Sequence, residues 1–468
     1  MTDTPIESMY SGVVSVRRLW MVLFIAELNQ LETWGADIRN AYLEATTKEK
    51  VYVIGDQGFG DLCGHTLIIH KALYGLKTSG KRWHERFVDV LRAEGFVMCK
   101  GDCEVWMRDM GDHYEYIAVY VDDLTIASRN AAKIVQTLRE KYNFKIKGDG
   151  ELSFHLGCNY TRDQDGTLFA EPKKYLEKMM ESYSRMFSGE LPSPSFTSPL
   201  EPNDHPEIDE SELLHEDDHA KYLSMIGQLH WLVTLGRFDV MSATVTMARF
   251  RAAPREGHLR RLRRIYGYLR NRRFKDGGIR YRTGSINHEV PDFPEYDWMY
   301  TVYGDVKEVL PTDAPSPKGP PVTTTTYADA NLYHDKLTGR ALSGILHFLN
   351  GTPVDWYCKR QATVETATYG SEFVVARIAT EQIIDLRTTL RYLGVNLSGP
   401  ANLFGDNQSV VTSSTIPSSA LNKRSSALCY HRVREAIAAK ILRFHHIKGK
   451  DNVADVLSKH YNHVDVWP

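Results

Sequence analysis

Residues 116–127 read Tyr-Ile-Ala-Val-Tyr-Val-Asp-Asp-Leu-Thr-Ile-Ala, two apolar runs separated by a pair of aspartates. Runs of this length, rich in β-branched and aromatic residues, predict two strands joined by a tight acidic turn. Asp122 and Asp123 would then project together at one edge of a sheet. Asp37 ends another strand-like segment, and we expect it to join them from a neighbouring strand. Because Mg²⁺ prefers carboxylate oxygens, this pattern predicts a metal-dependent phosphoryl-transfer site, although an isolated Asp-Asp turn is usually only solvated.

Helical patterns surround this stretch. Residues 19–28 are apolar but too short and too interrupted by charge for a membrane span, so they predict a buried helix. Trp83, Phe87, Val90 and Leu91 recur at helical spacing before Gly95. The first part of the chain is therefore predicted to be α+β.

Composition sets the broad class of the protein. With 42% apolar and 11% aromatic residues among 468, the chain is predicted to be globular and to have more than one domain. The net charge of −2 by itself indicates no polyanionic partner. The six cysteines show no zinc-ligand spacing, so we expect reduced thiols in an intracellular, cytoplasmic protein.

The chain organisation follows from two stretches rich in linker-forming residues. Residues 183–221 are acidic and rich in proline and serine, and residues 283–324 are rich in proline and threonine, so both are predicted to be exposed linkers. They separate three predicted folded regions: 1–182, 222–282 and 325–462. The middle region is predicted to be helical, and the last region reads as mixed α/β.

A second set of acids lies in the last region. Asp329 stands in a strand-like run, Glu372 on the first turns of a predicted helix, and Asp406 at a strand-to-helix junction. Asp455 lies in the stretch Asn452-Val-Ala-Asp455-Val-Leu-Ser-Lys459. Each acid alone would usually be a surface residue, but four acids that lie in or follow strands or begin helices in one region can be interpreted as a second metal site.

One predicted helix carries dense positive charge. Between residues 258 and 273, apolar residues occupy one face, and the opposite face carries Arg260, Arg261, Arg263, Arg264, Arg270, Arg272 and Arg273. Acidic partners are absent one helical turn away, so we favour phosphate contacts with a nucleic acid over a simple solvated face.

Three motifs resemble those of the reverse transcriptases of copia-type retrotransposons. Residues 120–123 (Tyr-Val-Asp-Asp) resemble the central motif, residues 36–44 the first aspartate motif, and residues 71–77 (Lys-Ala-Leu-Tyr-Gly-Leu-Lys) a segment peculiar to these elements. Asp406-Asn-Gln-Ser and Val453-Ala-Asp455 resemble the ribonuclease H domain of the same elements. The resemblance implies a reverse transcriptase palm and thumb followed by an α/β ribonuclease H-like domain with a mixed sheet.

The resemblance also implies roles for individual residues. Asp37, Asp122 and Asp123 would hold two Mg²⁺ ions, with Mn²⁺ as an alternative. The ring of Tyr42 would select deoxynucleotides, and Tyr120 and Lys77 belong to the implied substrate-binding set. The second pair of ions would be held by Asp329, Glu372, Asp406 and Asp455. The implied partners are an RNA template, a DNA primer, dNTPs and RNA–DNA hybrid, with no membrane, in a virus-like particle where the element is intact.

Some positions depart from the family pattern. The fingers segment, with basic residues that clamp the triphosphate, is largely missing, so we expect weak neutralisation of the leaving pyrophosphate. Gly370 stands where the family has the first of two glutamates, and residues 424–429 lack the family's polar residues. Two alternatives therefore stand beside the enzyme: an inactive remnant of an element, and a domesticated protein that binds nucleic acid without chemistry.

Overall fold

The computed structural model describes residues 12–271, 276–285, 290–421 and 423–460. The chain divides into two units of tertiary structure. The first contains Met1–His155 with two short later pieces, Pro315–Pro320 and Tyr392–Gly394. The second contains Leu156–Ala314, Pro321–Arg391 and Val395–Pro468.

The first unit is an antiparallel sheet with helices packed on it. Its helices are α1 (Val16–Leu28), α2 (Ser79–Ala93) and α3 (Ala131–Glu140). Its strands are β1 (Glu32–Ile38), β2 (Thr46–Ile54), β3 (Thr66–Lys71), β4 (Val97–Met98), β5 (Val105–Asp109), β6 (Tyr114–Tyr120), β7 (Asp123–Ser128), β8 (Ile146–Glu151) and β9 (Phe154–His155). Six of these strands form one sheet in the order β4-β5-β6-β7-β1-β8, and β2 pairs with β3 as a separate hairpin.

The predicted strand–turn–strand of residues 116–127 is confirmed as the β6–β7 hairpin at the centre of the sheet. Apolar residues of the two strands, such as Ile117 and Ile126, pack against Trp83 and Phe87 of α2. The predicted buried helix is confirmed as α1, whose residues from Leu19 to Ala26 are all buried. No described helix has the length and apolarity that crossing a membrane would require.

The second unit begins with a helical region. Its elements are β10 (Cys158–Arg162), β11 (Leu168–Glu171), α4 (Lys173–Met186), α5 (Glu216–Thr234), α6 (Met241–Ala248), α7 (Glu256–Arg270) and β12 (Ile279–Arg280). Met179 and Tyr183 of α4 share one apolar core with Tyr222 and Met225 of α5. The first unit therefore ends at His155 rather than at the predicted residue 182, because α4 packs with the helices that follow it.

The acidic stretch is not the exposed linker that its composition predicts. Leu200 is 1% exposed and Ser198 is 3% exposed, and Pro206 is also buried. Asn271, at the end of α7, donates to the carbonyl of Phe196. Residues 192–211, here called the acidic segment, are instead packed along α7, because their carboxylates find arginine partners there.

The remaining elements build a five-stranded mixed sheet. The strands of this sheet are β14 (Thr324–Asn331), β15 (Leu342–Leu349), β16 (Thr352–Arg360), β18 (Ala401–Gly405) and β19 (Leu442–His446), and β13 (Lys318–Val322) and β17 (Val395–Leu397) form a separate two-stranded sheet. The helices are α8 (Thr368–Tyr392), α9 (Gln408–Thr415), α10 (Ala427–Ala438) and α11 (Asp455–Ser458). The sheet order is β16-β15-β14-β18-β19, in which the first three strands are antiparallel and the last pairings are parallel. This arrangement confirms the predicted α/β fold with a mixed sheet.

The second predicted linker also packs on the fold. Trp298 is 8% exposed and belongs to the core of the mixed-sheet region. Glu308 accepts hydrogen bonds from two arginines of α8, Arg387 at 2.9 Å and Arg391 at 2.8 Å. Residues 290–314 are therefore an extension of this region, and its composition misled the prediction because the partners that anchor it lie far along the chain.

Candidate functional sites

The first acidic site is built by backbone pairing. Asp37 of β1 lies directly opposite Asp123 of β7, and the amide of Ile38 donates to the carbonyl of Asp122 at 2.9 Å. Val121 has a φ of 59°, which turns the chain sharply between β6 and β7. The indole of Trp83 donates to the carbonyl of Val121 at 2.7 Å and holds this turn. The structure thus brings the three predicted acids to one edge of the sheet.

The electrostatics of this site oppose ionisation of Asp123. Burial, followed by the charges of Asp122 and Asp37, raises the pKa of Asp123 to about 6. The ammonium of Lys147 lies 3.2 Å from Oδ1 of Asp37 and supplies a partly compensating charge. An oxygen-rich set whose negative charges repel one another fits a hard divalent cation.

Aromatic side chains lie beside these acids. The ring of Tyr42, in the short helix Ala41–Glu44, lies 4.6 Å from the ring of Tyr74. Partial burial, followed by the charge of Asp122, raises the pKa of Tyr74, which places that phenol near the acidic edge. Tyr74 lies in the segment 71–77 that resembles copia-type elements, but the sequence alone indicates no role for it. Tyr120 is half-buried opposite Asp123, and Lys77 is exposed.

The second acidic site is a tighter cluster. Asp329 of β14, Glu372 of α8 and Asp406, which follows β18, each bring a carboxylate oxygen to within 4.8 Å of the others. Asp329 is 1% exposed and Glu372 is 7% exposed. Burial, followed by the charges of Asp329 and Asp406, raises the pKa of Glu372 well above its usual value. The parallel pairing of β14 with β18 and the start of α8 therefore bring together three of the four predicted acids.

The fourth acid is paired with a lysine. Asp455 begins α11 and accepts a hydrogen bond from Nζ of Lys459 at 2.7 Å, while the same ammonium donates to Asp329 at 3.1 Å. The hydroxyl of Ser458 also donates to Asp329. Burial, followed by the charge of Asp329, raises the pKa of Asp455 to about 7. Ser458 and Lys459 lie in the same sequence stretch as Asp455, residues 452–459, but only the folded structure shows that they contact Asp329.

Gly370 stands where the family has a glutamate, and in the structure the side chain of Glu365 lies next to this glycine. A Cβ at this position would lie 2.2 Å from Oε2 of Glu365, so a larger residue would displace that side chain. Glu365 accepts a hydrogen bond from Lys423 at 3.0 Å. The Glu365–Lys423 pair thus occupies the space in which a side chain at 370 would begin, and Glu372 keeps its place in the cluster.

The arginine face of α7 is largely occupied within the unit. Arg261 donates to Asp204 through two nitrogens at 2.8 Å and to Asp209 at 2.5 Å. Arg264 donates to Glu201 at 3.0 Å. Neither of these two arginines has an acidic residue one turn away on α7, so the sequence did not indicate these ion pairs, whose acids come from the acidic segment. Phosphate contact by Arg261 and Arg264 stays a prediction.

The other arginines of α7 differ in their contacts and in the exposure of their side chains. The guanidinium of Arg263 lies 4.2 Å from the centre of the Phe187 ring, whereas Arg260 is exposed. Arg270 donates to the carbonyl of Pro192 at 2.9 Å. Arg272 and Arg273 lie outside the described residues. Among the described arginines of this face, Arg260 therefore has the most exposed side chain.

Comparisons with known proteins agree with the geometry. Residues 3–187 match the family model described as reverse transcriptase (RNA-dependent DNA polymerase). The chain is 24% identical over 453 residues to the retrovirus-related Pol polyprotein from transposon RE1 of Arabidopsis thaliana, covering 96% of this chain and 28% of that protein. It is 27% identical over 307 residues to the putative transposon Ty5-1 protein of Saccharomyces cerevisiae, covering 65% of this chain and 93% of that protein.

Among solved structures, the foamy viral protease-reverse transcriptase in complex with RNA/DNA hybrid aligns with a TM-score of 0.44 and 10% identity. That alignment covers 94% of this chain and 46% of the viral chain. The chain spans between about a quarter and a third of the length of the plant Pol polyproteins that it matches.

Proposed function

The chain belongs to the copia-like retrotransposon polyproteins, and on that premise we propose that it carries two nucleic-acid active sites. The first would extend a DNA primer on an RNA template with dNTPs. The second would cleave the RNA strand of an RNA–DNA hybrid. Relatedness to reverse transcriptases and a ribonuclease H-like sheet support this pairing.

The proposal for the second site depends on one observation: carboxylate oxygens of Asp329, Glu372 and Asp406 lie within 4.8 Å of one another. These carboxylates, two buried and one half-buried, repel one another, and such a cluster is stable mainly where a cation compensates the charge. Mg²⁺, two ions at each site, is the cofactor that we expect, and Mn²⁺ suits the same oxygen ligands. Bound ions of this kind supply an activated water and stabilise charge on the phosphate.

The chain's own residues would hold the substrate and the acids. Lys459 keeps the carboxylates of Asp329 and Asp455 close together through its two hydrogen bonds. At the first site, Asp37, Asp122 and Asp123 would hold the ions. The ring of Tyr42, backed by Tyr74, would lie under the sugar of the incoming nucleotide and exclude a 2′-hydroxyl. On α7, we propose that Arg260, whose side chain is exposed, makes the main contact with nucleic-acid phosphates.

A cleavage assay tests the second site. The full chain is incubated with an RNA–DNA hybrid and Mg²⁺ beside its Asp329→Asn and Asp385→Asn variants. Asp385 is an exposed acid of α8 outside the cluster, so its variant is the matched control. We expect cleavage by the parent and the control, and a loss of about 100-fold or more in Asp329→Asn.

A primer-extension assay tests the first site. Asp122→Asn is compared with Asp89→Asn, which changes an exposed acid on α2. Extension by the parent and the control, and none by Asp122→Asn, is the expected result. A parent that binds hybrid but performs neither reaction would instead support the domesticated binding protein. A parent that also fails to bind would support the inactive remnant.

We also propose that the chain acts in the cytoplasm, inside a virus-like particle where the element is intact. All six cysteines are unpaired, which suits a reducing compartment.

A further inference from the structure

A line of hydrogen bonds connects α6 to the second acidic site. The hydroxyl of Thr246 lies 3.3 Å from Nε2 of His334, and Nδ1 of His334 lies 3.3 Å from Nδ2 of Asn331. The same nitrogen of Asn331 donates to the carbonyl of Ser458 at 3.2 Å. Ser458 in turn donates through its hydroxyl to Asp329. The line therefore leads from the helical region to the most buried carboxylate of the cluster.

The chemistry of the groups fixes the direction of each bond. A carbonyl oxygen only accepts, so the side-chain nitrogen of Asn331 must face Ser458. Its second N–H then donates to Nδ1 of His334. Burial lowers the pKa of His334 to about 4, so the ring is neutral near pH 7 and Nε2 carries its single proton. That proton is donated to the hydroxyl of Thr246, and one consistent set of donors and acceptors results.

The loop that follows β14 is also anchored to the end of α6, through an ion pair between Asp335 and Arg249. The carboxylate of Asp335 is 0% exposed and accepts hydrogen bonds from Arg249, next to α6, at 2.5 Å, and from Arg360. Its Oδ1 also accepts from the amides of Leu337 and Thr338. Because this carboxylate is buried and its charge is compensated by the two arginines, the loop has little freedom to move away from α6.

Helix α11 packs on the helical region as well. Val456 and Leu457 share an apolar cluster with Phe238, which precedes α6, and Met241 of α6 packs against that cluster. Ser242 lies within hydrogen-bond distance, 3.3 Å, of Nδ1 of His460. The two ends of the acidic site, β14 with Asp329 and α11 with Asp455, thus both contact α6 or its immediate neighbours.

We propose that α6 is a positioning element of the second acidic site, and that Thr246 and His334 hold Asn331 and Ser458 so that Asp329 is aimed at the bound cation. The proposal rests on the proposed ribonuclease function for the identity of the site. Neither residue touches the reacting atoms. Groups that orient metal ligands from behind contribute about 10- to 100-fold to metal affinity in other proteins. The helical region would thus be needed for cleavage, besides any part it has in binding a duplex.

The test uses the full chain with Thr246→Val, which keeps the shape of the side chain and removes its hydroxyl. Thr234→Val on α5 is the matched control, because that hydroxyl donates only to the carbonyl of its own helix at His230. Two quantities are measured: Mn²⁺ binding to the chain, followed by the signal of the free ion, and the Mg²⁺ concentration that gives half-maximal hybrid cleavage. Urea unfolding of each variant reports any general loss of stability.

We expect Thr246→Val to weaken Mn²⁺ binding at one class of site and to raise the half-maximal Mg²⁺ concentration, each by about tenfold. Thr234→Val should change neither, and Thr246→Ser should restore both. Unchanged metal binding and Mg²⁺ dependence in Thr246→Val would overturn the proposal, even if its urea midpoint fell. If the parent cleaves no hybrid, the ribonuclease proposal fails, but the Mn²⁺ comparison still decides whether Thr246 positions the acids.

Discussion

Arg261 donates two hydrogen bonds to Asp204 and one to Asp209 of the acidic segment. Replacing it by glutamine would leave two largely buried carboxylates without their charge partner. We expect a loss of about 2–3 kcal/mol in the free energy of unfolding, measured by urea denaturation.

Arg260 provides the control for this prediction, because it is the exposed neighbour on the same helix. Arg260→Gln should change stability by less than about 0.5 kcal/mol and should weaken salt-sensitive binding to duplexes. Equal stability of both variants, with equal losses of duplex binding, would show that Arg261 faces nucleic acid rather than the acidic segment.

His445 on β19 predicts a pH effect on stability. Burial, assisted by the charge of Arg443, lowers its pKa to about 4, against about 6.5 in an unfolded chain. Between these values the unfolded chain binds the proton more readily, so stability falls as the pH falls from about 6.5 to about 4. Between pH 7 and pH 5 this residue should account for about 2 kcal/mol.

His445→Gln removes this titration and keeps a group that can bond Asn402, the neighbour of the imidazole at 3.3 Å. The free energy of unfolding of this variant should therefore depend less on pH than that of the parent, with both measured in urea at pH 7 and pH 5. Parallel pH dependence in the two chains would rule out His445 as the source.

At the scale of elements, two glycines in helices have opposite surroundings. A Cβ at Gly267 of α7 would lie 2.2 Å from the carbonyl oxygen of Ser193 and 2.6 Å from the ring of Phe196, whereas a Cβ at Gly227 of α5 would meet nothing within 4 Å. Gly267→Ala should therefore lower the free energy of unfolding by about 1–3 kcal/mol, because the acidic segment must move.

Gly227→Ala should raise the free energy of unfolding by about 0.5–1 kcal/mol, because alanine loses less backbone entropy in a helix. Urea unfolding of the two variants measures both changes. If both substitutions stabilised the chain, the close approach of the acidic segment to α7 would be contradicted.

The apolar spacing of α7 was enough to predict the helix and its buried face, since Leu259, Leu262, Tyr266 and Leu269 are all buried. The covering of its charged face was not predictable. Proline, serine and acidic residues suggest a linker when they are considered alone, and only the arginines of a distant helix make that stretch an ordered part of the unit.

At the scale of the whole molecule, the two acidic sites belong to different units. Sites that act independently are additive within about 0.5 kcal/mol, which corresponds to about twofold in rate. Asp122→Asn should therefore cleave hybrid within about twofold of the parent, and Asp329→Asn should extend primers within about twofold. Steady-state assays of both reactions on both variants check this. A variant that lost both activities would indicate that one site depends on the other.

The sequence by itself determined the two acidic motifs, the strands that carry them and the mixed α/β character of the last region. These features depend on short-range patterns: apolar alternation, a tight turn, or an acid at the end of a strand. Only the tertiary structure decided that Lys459 joins Asp329 to Asp455, that Arg261 is neutralised by residues more than 50 positions away, and that Thr246 reaches the second site through His334. The physical reason is that hydrogen bonds and ion pairs between distant residues are set by how elements pack, which no local pattern encodes.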